Sequence, residues 1–201
     1  MSSPGTDRCR RALLEGARLR ERVADLLSEN IAQAGEEIAR RLAAGGTAYF
    51  FGNGGSAAQA LHFAAEITGR YKRERPGFAA VALGCNPGEL TAIANDYSYQ
   101  EVFSRPLSAL VRSGDVAVGL TGSGGSANVA RALETARAAG ALTVALSGAS
   151  AGADGGPVGR AAEIALVVPA EGVAEVQEVH LALGHLLCEL VEERLTAEGE
   201  A

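Results

Sequence analysis

The sequence has few of the residues that mark several large classes of protein. It contains no tryptophan, and aromatic residues make up only 4% of its 201 residues. We therefore expect a core of Ala, Val and Leu, and no aromatic platform on which single-stranded nucleic acid could stack. Its three cysteines, Cys9, Cys85 and Cys188, form no CxxC pair and cannot all pair with one another. This usage is typical of a reducing compartment, so we expect a cytoplasmic protein rather than a disulfide-stapled secreted one.

Two further shortages concern positive charge and hydrophobic length. The formal net charge is −6, which argues against a broad electrostatic contact with DNA, RNA or an anionic membrane. The first residues show no signal-peptide pattern, and no apolar run approaches the roughly 20 residues of a membrane span. With 47% hydrophobic and 21% charged residues, the composition is that of one globular domain. We expect no nucleic-acid partner and no membrane partner.

The pattern of the sequence changes near residue 46. Residues 7–44 contain no proline, and no glycine occurs between Gly16 and Gly35. Apolar residues recur there at helical spacing, which predicts an N-terminal helical hairpin within residues 1–45, broken near residues 28–30. We expect this hairpin to belong to the same domain and to contribute to oligomerisation, while residues 46–201 form the main part of the domain.

From residue 46 onwards, short β-rich segments alternate with stretches long enough for a helix. The predicted strands are 47–51, 78–83, 115–120, 142–146 and 164–168, and a long amphipathic helix is predicted at 174–197. Continuous apolar strands separated by helices are typical of a parallel sheet that is covered on both faces. The sequence thus predicts an α/β fold with a doubly wound, five-stranded parallel sheet.

Two glycine-rich segments each stand between a predicted strand and a helix. They read FGNGGSAA at 51–58 and LTGSGGSA at 120–127. Glycines let a ligand approach the backbone, and the first N–H groups of a helix are free to bind an anion. A dinucleotide is disfavoured because no acidic residue follows at the end of the next strand, and an NTP loop is excluded because no GK[ST] follows. A small phosphorylated ligand fits better than two merely connecting turns, with hydroxyl donors at Ser56, Thr121, Ser123 and Ser126.

The histidines have polar company on predicted helices. His62 lies four residues before Glu66 in LHFAAEI, so the two share a helix face in an otherwise apolar segment. A polar pair lowers stability there unless it is partnered. His185 lies seven residues after Glu178 and eight after Gln177, and either can share its face. Spacing alone does not decide between two interpretations of His62, Glu66 and His185: a metal or acid–base site, or structural polar residues whose hydrogen bonds are satisfied.

Five segments together resemble phosphoheptose isomerases, within the wider group of sugar isomerase (SIS) domains. They are GNGGS at 52–56, HFAAEITGRY at 62–71, ANDY at 94–97, TGSGGS at 121–126, and QEVH at 177–180 continuing to His185. The resemblance covers nearly the whole chain and implies a flavodoxin-like SIS domain. It further implies conversion of sedoheptulose 7-phosphate to D-glycero-D-manno-heptose 7-phosphate, the first step of nucleotide-activated heptose biosynthesis. The family assembles as a homotetramer with active sites between subunits.

The resemblance also implies roles for individual residues. Glu66 and His185 would be the acid–base pair that moves protons through an enediol. One zinc ion per subunit would be bound by His62, Glu66, Gln177 and His185, although composition alone would favour Glu178 over the neutral amide of Gln177. The residues that would hold the sugar phosphate are Asn53, Gly54, Gly55, Ser56, Glu66, Arg70, Asn95, Asp96, Thr121, Gly122, Ser123, Ser126 and Gln177.

The sequence departs from the family pattern in two places. Gly122 stands where the second phosphate loop usually has a hydroxyl residue, and Gly84-Cys85-Asn86 stands where Thr-Asp or Ser-Asp is common. Both changes leave the acid–base residues intact and bear on phosphate affinity and on the choice of sugar.

Two alternatives to the isomerase come from the same superfamily. One is a non-catalytic tetramer that binds the bacterial replication initiator, and the other is a sugar-phosphate-sensing module. The joint presence of Glu66, Gln177 and His185 favours the enzyme over the initiator-binding protein. A sensor would need an attached effector domain, and the 40 N-terminal residues are too short and too balanced in charge to form a convincing one.

Overall fold

The computed structural model of the protein describes residues 3–199. The α-helices are α1 Pro4–Ala43, α2 Gly55–Thr68, α3 Pro87–Asp96, α4 Ser104–Leu110, α5 Ala127–Ala138, α6 Gly156–Ala161 and α7 Val173–Gly199. The strands are β1 Ala48–Gly52, β2 Ala80–Ala82, β3 Val116–Thr121, β4 Leu142–Gly148 and β5 Ile164–Val168, and a 3-10 turn spans Tyr99–Glu101. No helix in this described part of the chain combines the length and apolarity of a membrane span.

The five strands form one sheet in the order β2-β1-β3-β4-β5, and every neighbouring pair is parallel. This confirms the predicted doubly wound parallel sheet, and the order is that of flavodoxin-like folds. The chain leaves β1 for β2 at one edge and then returns to β3 on the other side of β1. Connections that diverge in this way open a crevice at the carboxyl ends of β1 and β3, where ligands of such sheets bind.

Helices cover both faces of the sheet. Successive side chains of a strand point to opposite faces, so Phe50 and Val118 join a core with α1, α2 and α7. Phe51 and Ala117 join a second core with α3, α4 and α5 on the other face. The expected Ala, Val and Leu core is therefore supplemented by buried phenylalanines in its centre.

The edge strand is shorter than the sequence predicts. Residues 78–83 were expected to form it, but only Ala80–Ala82 pair with β1. The Phe78 N–H is donated to the Ile67 carbonyl of α2 instead of to the sheet, 3.1 Å. Phe78, which the sequence assigns to the strand, therefore contacts α2 instead.

The predicted N-terminal hairpin is wrong, because residues 4–43 form the single 40-residue helix α1. At the expected break the Ser28 hydroxyl donates to the Ala24 carbonyl, 2.6 Å, so its polar side chain is satisfied within the helix. Neither glycine nor proline is present there to end the helix. The buried residues of α1 run from Leu19 to Leu42, whereas the helix before Leu19 carries exposed side chains.

Candidate functional site

The carboxyl ends of β1 and β3 and the two glycine-rich loops that follow them enclose a pocket. The pocket has a volume of about 160 Å³. Seven of the residues expected to hold the sugar phosphate line it, together with Leu120 and Val173; they are Asn53, Ser56, Thr121, Gly122, Ser123, Ser126 and Gln177. The two loops, remote in sequence, thus form one polar recess, which we call the loop pocket.

The hydroxyl groups of the loop pocket are held by one another and by the backbone. Ser56 and Thr121 are buried. The Thr121 and Ser126 hydroxyls share a hydrogen bond of 2.9 Å, and the Gly124 N–H donates to the Thr121 hydroxyl at 3.2 Å. The recess also lies at the N-terminal ends of α2 and α5, where helix dipoles favour an anion. These features together suit a phosphate group.

Glycines make room for two side chains that line the loop pocket. A Cβ atom at Gly55 would lie 2.8 Å from both polar atoms of the Gln177 amide, and one at Gly122 would lie 2.7 Å from Val173 Cγ1. Both distances are shorter than carbon side chains tolerate. Val173 at the start of α7 therefore occupies the space that a hydroxyl-bearing side chain at position 122 would need.

Two residues of the site were not recognised in the sequence. The side-chain amides of Asn53 and Asn128 exchange two hydrogen bonds of 2.9 Å, and the Tyr99 hydroxyl donates to Asn53 Oδ1 at 2.9 Å. Asn128 is buried at the start of α5. Its position two residues after Ser126 was the signal available for it, whereas Tyr99 gave none. Both hold the Asn53 amide in place at the mouth of β1.

A second group of polar side chains lies between α2 and α7. The His62 and His185 Nε2 atoms face each other at 2.8 Å, and the two rings lie 5.1 Å apart at 79°. The Glu66 carboxylate lies 3.6 Å from Nδ1 of His62. The Tyr71 ring stacks on His185 with centroids 5.6 Å apart. We call these four residues the imidazole cluster.

The close approach of α2 to α7 explains why these imidazoles meet. A Cβ atom at Gly184 would overlap the ring of Phe63, and Phe63 is buried at that contact. Since Gly184 and Phe63 are the chain neighbours of His185 and His62, the glycine lets the two helices pack near the imidazole cluster.

The structure separates the neighbours Gln177 and Glu178. The Gln177 side chain lines the loop pocket, and its backbone carbonyl accepts a hydrogen bond from Gln59 Nε2 at 2.7 Å. Glu178 is exposed, and its carboxylate lies 3.5 Å from the position of a Cβ at Gly16 of α1. Glu178, which composition favours as a ligand, therefore points away from the pocket, whereas Gln177, which the resemblance favours, points into it.

The donor set for a metal ion is only partly assembled. Within residues 3–199, no group of three or more His, Cys, Asp or Glu side chains is arranged to hold a metal ion. The facing Nε2 atoms of His62 and His185 are nevertheless donors of the kind that zinc takes. Two ligands of a zinc site thus fit, with Glu66 beside one of them.

Six of the predicted substrate-binding residues do not line the loop pocket; besides Glu66 of the imidazole cluster, they are Gly54, Gly55, Arg70, Asn95 and Asp96. Arg70 is exposed and pairs with Glu74, 3.5 Å. Asn95 and Asp96 are exposed at the end of α3, where the Asn95 amide donates to the Asp96 carboxylate at 2.9 Å. Gly54 and Gly55, at the start of α2, are exposed as well. The roles of these residues stay predictions.

The unusual Gly84-Cys85-Asn86 segment has a local structural role. The Asn86 side chain accepts hydrogen bonds from the N–H groups of Gly88 and Glu89 and so caps α3. Pro87 follows at the first position of the helix, where its missing N–H costs no hydrogen bond. The departure from the family pattern is therefore an alternative start for α3.

His180 is buried apart from both groups. Its ring has no exposed surface, and neither ring nitrogen has a hydrogen-bond partner among the described residues. Burial lowers the pKa of His180 to about 4, and the backbone of Ser147 acts weakly in the opposite direction. His180 is therefore neutral near pH 7.

Comparison with known proteins shows which family has this sequence and fold. Residues 14–148 match the SIS domain family. The chain is 43% identical over 192 residues to the phosphoheptose isomerase of Thermodesulfovibrio yellowstonii, with 94% of this chain and 92% of the relative covered. The chain belongs to the phosphoheptose isomerase family.

Solved structures of the family agree with this assignment. The phosphoheptose isomerase of Neisseria gonorrhoeae superposes with a TM-score of 0.86 at 38% identity, covering 94% of this chain and 98% of that one. The phosphoheptose isomerase of Francisella tularensis gives a TM-score of 0.87 at 29% identity, covering 95% and 100%. The expectation of an SIS fold and of an enzyme of the isomerase class is confirmed.

Proposed function

We propose that the protein interconverts sedoheptulose 7-phosphate and D-glycero-D-manno-heptose 7-phosphate. The observation that carries this proposal is the spacing of the two groups of side chains along α2 and α7. His62 follows Ser56 by six residues, and His185 follows Gln177 by eight, which separates the groups by about 9 Å along α2 and about 12 Å along α7. An extended sugar phosphate can therefore place its phosphate in the loop pocket and its first carbons at the imidazole cluster.

The loop pocket supplies neutral donors for the phosphate. Ser56, Thr121 and Ser126 bring three hydroxyl groups to the recess, which lies at the starts of α2 and α5. Among residues 3–199 no lysine or arginine lines it, so the anion is held by hydrogen bonds and helix dipoles rather than by a cation. The Asn53 amide, fixed by Asn128 and Tyr99, stands where it can hold a sugar hydroxyl.

The imidazole cluster supplies the acid and the base. In the direction from ketose to aldose, the Glu66 carboxylate takes a proton from C1 and then delivers a proton to C2 of the enediol. The His185 imidazole receives the proton of the O1 hydroxyl and delivers one to O2, which imidazole can do near neutral pH. The Tyr71 ring covers one face of His185. Each proton that leaves the substrate is thereby balanced by one delivered to it.

We also propose that one zinc ion is held by His62, Glu66, Gln177 and His185, which requires the Gln177 side chain to turn from the loop pocket toward the imidazole cluster. When bound, zinc would polarise the carbonyl oxygen of the sugar. Elemental analysis of purified protein tests this, and about one zinc per chain is expected. In a His62→Ala variant the zinc content should fall, because one of the two facing imidazoles is lost.

A homotetramer in the cytoplasm completes the proposal. The first part of α1 exposes Leu13 and Leu14, and Leu26 is exposed further along the helix, as expected of a helix that packs on another copy. Active sites between subunits would also give Arg70, Asn95 and Asp96, which lie outside the loop pocket of one chain, a place at a neighbouring one. The free thiols of Cys9 and Cys85 are exposed, which suits a reducing compartment.

The test is incubation of the zinc-loaded protein with sedoheptulose 7-phosphate in deuterated water, followed by NMR. We expect an aldoheptose 7-phosphate that carries deuterium at C2, because the base exchanges its proton with solvent. Product without deuterium would keep the isomerase but contradict exchange at Glu66. Absence of product, with the sugar phosphate still raising the melting temperature, would favour a non-catalytic binding protein.

A further inference from the structure

A buried ion pair contacts the two segments that carry Glu66 and Tyr71 of the imidazole cluster. Arg75 and Glu192 are almost fully buried, with 3% and 2% of their side chains exposed, and Arg75 Nε lies 3.1 Å from Glu192 Oε1. Glu192 is seven residues, two helical turns, after His185 on α7, so it lies on the same face of the helix. Neither residue lines the loop pocket.

The Glu192 carboxylate organises the segment that follows α2. Its oxygens accept the backbone N–H groups of Tyr71 at 3.0 Å, of Lys72 at 2.8 Å and of Arg73 at 2.8 Å. Burial by itself would raise the pKa of Glu192, but these three N–H groups and the Arg75 guanidinium together hold it below its usual value. The carboxylate is therefore charged and fully hydrogen-bonded, and it fixes the backbone that carries Tyr71.

The Arg75 guanidinium fixes the end of α2. It donates to the carbonyl oxygens of Glu66 at 2.8 Å, of Ile67 at 3.1 Å and of Gly69 at 3.2 Å. Glu66 and Ile67 belong to the last turn of α2, whose carbonyls lack partners within the helix, and Gly69 is the residue that caps it. The backbone of Glu66 is thus held by the same ion pair whose carboxylate holds the backbone of Tyr71.

We propose that the Arg75–Glu192 pair is a positioning device for the proposed acid–base pair, and that Tyr71 is the side chain through which it acts on His185. At one end the guanidinium holds the main chain of Glu66, and at the other the carboxylate places the Tyr71 ring against His185 at an interplanar angle of 25°. This inference rests on the proposed isomerase function.

General physical chemistry favours positioning over stability as the reason for such a pair. A buried ion pair is often no more stabilising than apolar side chains of the same volume, because both charges must leave water. What it supplies is a fixed geometry, since the guanidinium fork and the carboxylate bond in defined directions. Here that geometry joins the end of α2 to α7 two helical turns beyond His185.

The experiment compares four variants at the same concentration of zinc-loaded protein. In Tyr71→Leu the stacked ring is lost, whereas in Tyr71→Phe it is kept. In Glu192→Gln the buried charge is lost, whereas in Glu189→Gln only the ion pair between Glu189 and Lys72 on the same segment is lost, whose lysine is well exposed. The kcat and KM for sedoheptulose 7-phosphate are measured, together with the NMR signals of the His185 ring in histidine-labelled protein.

We expect Tyr71→Leu and Glu192→Gln to lower kcat by about 10- to 100-fold while KM changes less than about threefold, because the loop pocket is untouched. Glu189→Gln should stay within about threefold of the parent protein in both constants, and Tyr71→Phe, which keeps the ring, should recover most of the kcat that Tyr71→Leu loses. The His185 ring signals should move in Tyr71→Leu, where the shielding ring is lost, and should keep their positions in Tyr71→Phe.

Several results would overturn the inference. They are a Tyr71→Leu variant with the parent kcat, equal losses in Tyr71→Phe and Tyr71→Leu, or unchanged His185 signals in Tyr71→Leu. Equal changes of kcat and KM together with a lower melting temperature would assign the residues a purely structural role. If Glu192→Gln does not fold, the two Tyr71 variants decide alone. An inactive parent protein would instead overturn the proposed function, and the His185 signals would still show whether Tyr71 sets the ring.

Discussion

At the scale of single residues, neighbours on α7 serve different surroundings because successive helical positions differ by about 100°. Gln177 enters the loop pocket, while Glu178 faces α1. Gly184 receives the Phe63 ring, while His185 meets His62. A shift of one residue along this helix would therefore exchange a ligand-facing group for a structural one.

The proposed base is tested by a change of one atom. Glu66→Gln keeps the shape of the side chain but removes its ability to accept a proton, so kcat should fall by about 10²- to 10⁴-fold. Binding of sedoheptulose 7-phosphate, followed by calorimetry, should remain within about threefold of that of the parent protein, because the loop pocket is intact. Glu134→Gln, an exposed carboxylate on α5, is the matched control. Near-parent turnover in Glu66→Gln would remove Glu66 as the base.

The buried His180 predicts a loss of stability in mild acid. Its pKa is lowered from 6.5 to about 4 by burial, so between these values the unfolded chain binds a proton that the folded chain does not. Stability therefore falls as the pH falls through this window, by about 1.4 kcal/mol per pH unit. Urea unfolding at pH 7 and pH 5 should show about 2 kcal/mol less pH dependence in His180→Met than in the parent chain. The same pH dependence in both proteins would contradict the assignment.

At the scale of the elements, the contact between α2 and α7 depends on Gly184. Gly184→Ala should lower the free energy of unfolding by about 1–3 kcal/mol, because the new methyl group overlaps Phe63. Activity should fall as well, since His62 and His185 are moved apart. Gly16→Ala in α1 is the matched control, because its Cβ would meet only an ordinary contact at 3.5 Å. That control should stabilise the protein by about 0.5–1 kcal/mol, as alanine does in place of glycine within a helix. Equal effects of the two changes in urea unfolding would contradict this account.

The second glycine loop and the start of α7 are coupled through Gly122 and Val173. A serine at position 122 would force Val173 to move, and overpacking of this kind costs about 1–3 kcal/mol. We expect Gly122→Ser to raise the KM for the sugar phosphate at least about fivefold. Adding Val173→Ala should restore the KM, because the space is returned. A double variant as weak as the single one would show that the two positions are independent.

At the scale of the whole molecule, the proposed tetramer is open to a direct measurement. Leu13 and Leu26 expose 77% and 62% of their surface on α1. We expect light scattering to give a mass of four chains for the parent protein. Replacing both leucines by glutamate should give smaller species with little loss of helical signal, since neither side chain belongs to the core of the subunit. A parent protein that is monomeric at micromolar concentration would contradict the assembly.

Most of the sheet can be predicted from the sequence, because buried parallel strands are local apolar runs such as 142–146 and 164–168. The loop pocket can be predicted for the same reason, since each glycine loop is a continuous segment of the chain. The predicted N-terminal hairpin is wrong because the polar residues at 28–30 do not break the helix: the Ser28 hydroxyl bonds to the preceding turn. Asn128 and Glu192 were missed because their partners lie far away in the chain, and helical spacing gives no information about such contacts.

The packing of α1 against α7 has a consequence for synthesis. These are the first and last helices of the chain, and residues from Leu19 to Val191 share one hydrophobic core. The apolar face of α1 therefore leaves the ribosome early and finds its partner only when the last helix has emerged. Until then that face of the sheet is covered only by α1 and α2, so ribosome-bound chains that lack α7 should stay sensitive to protease.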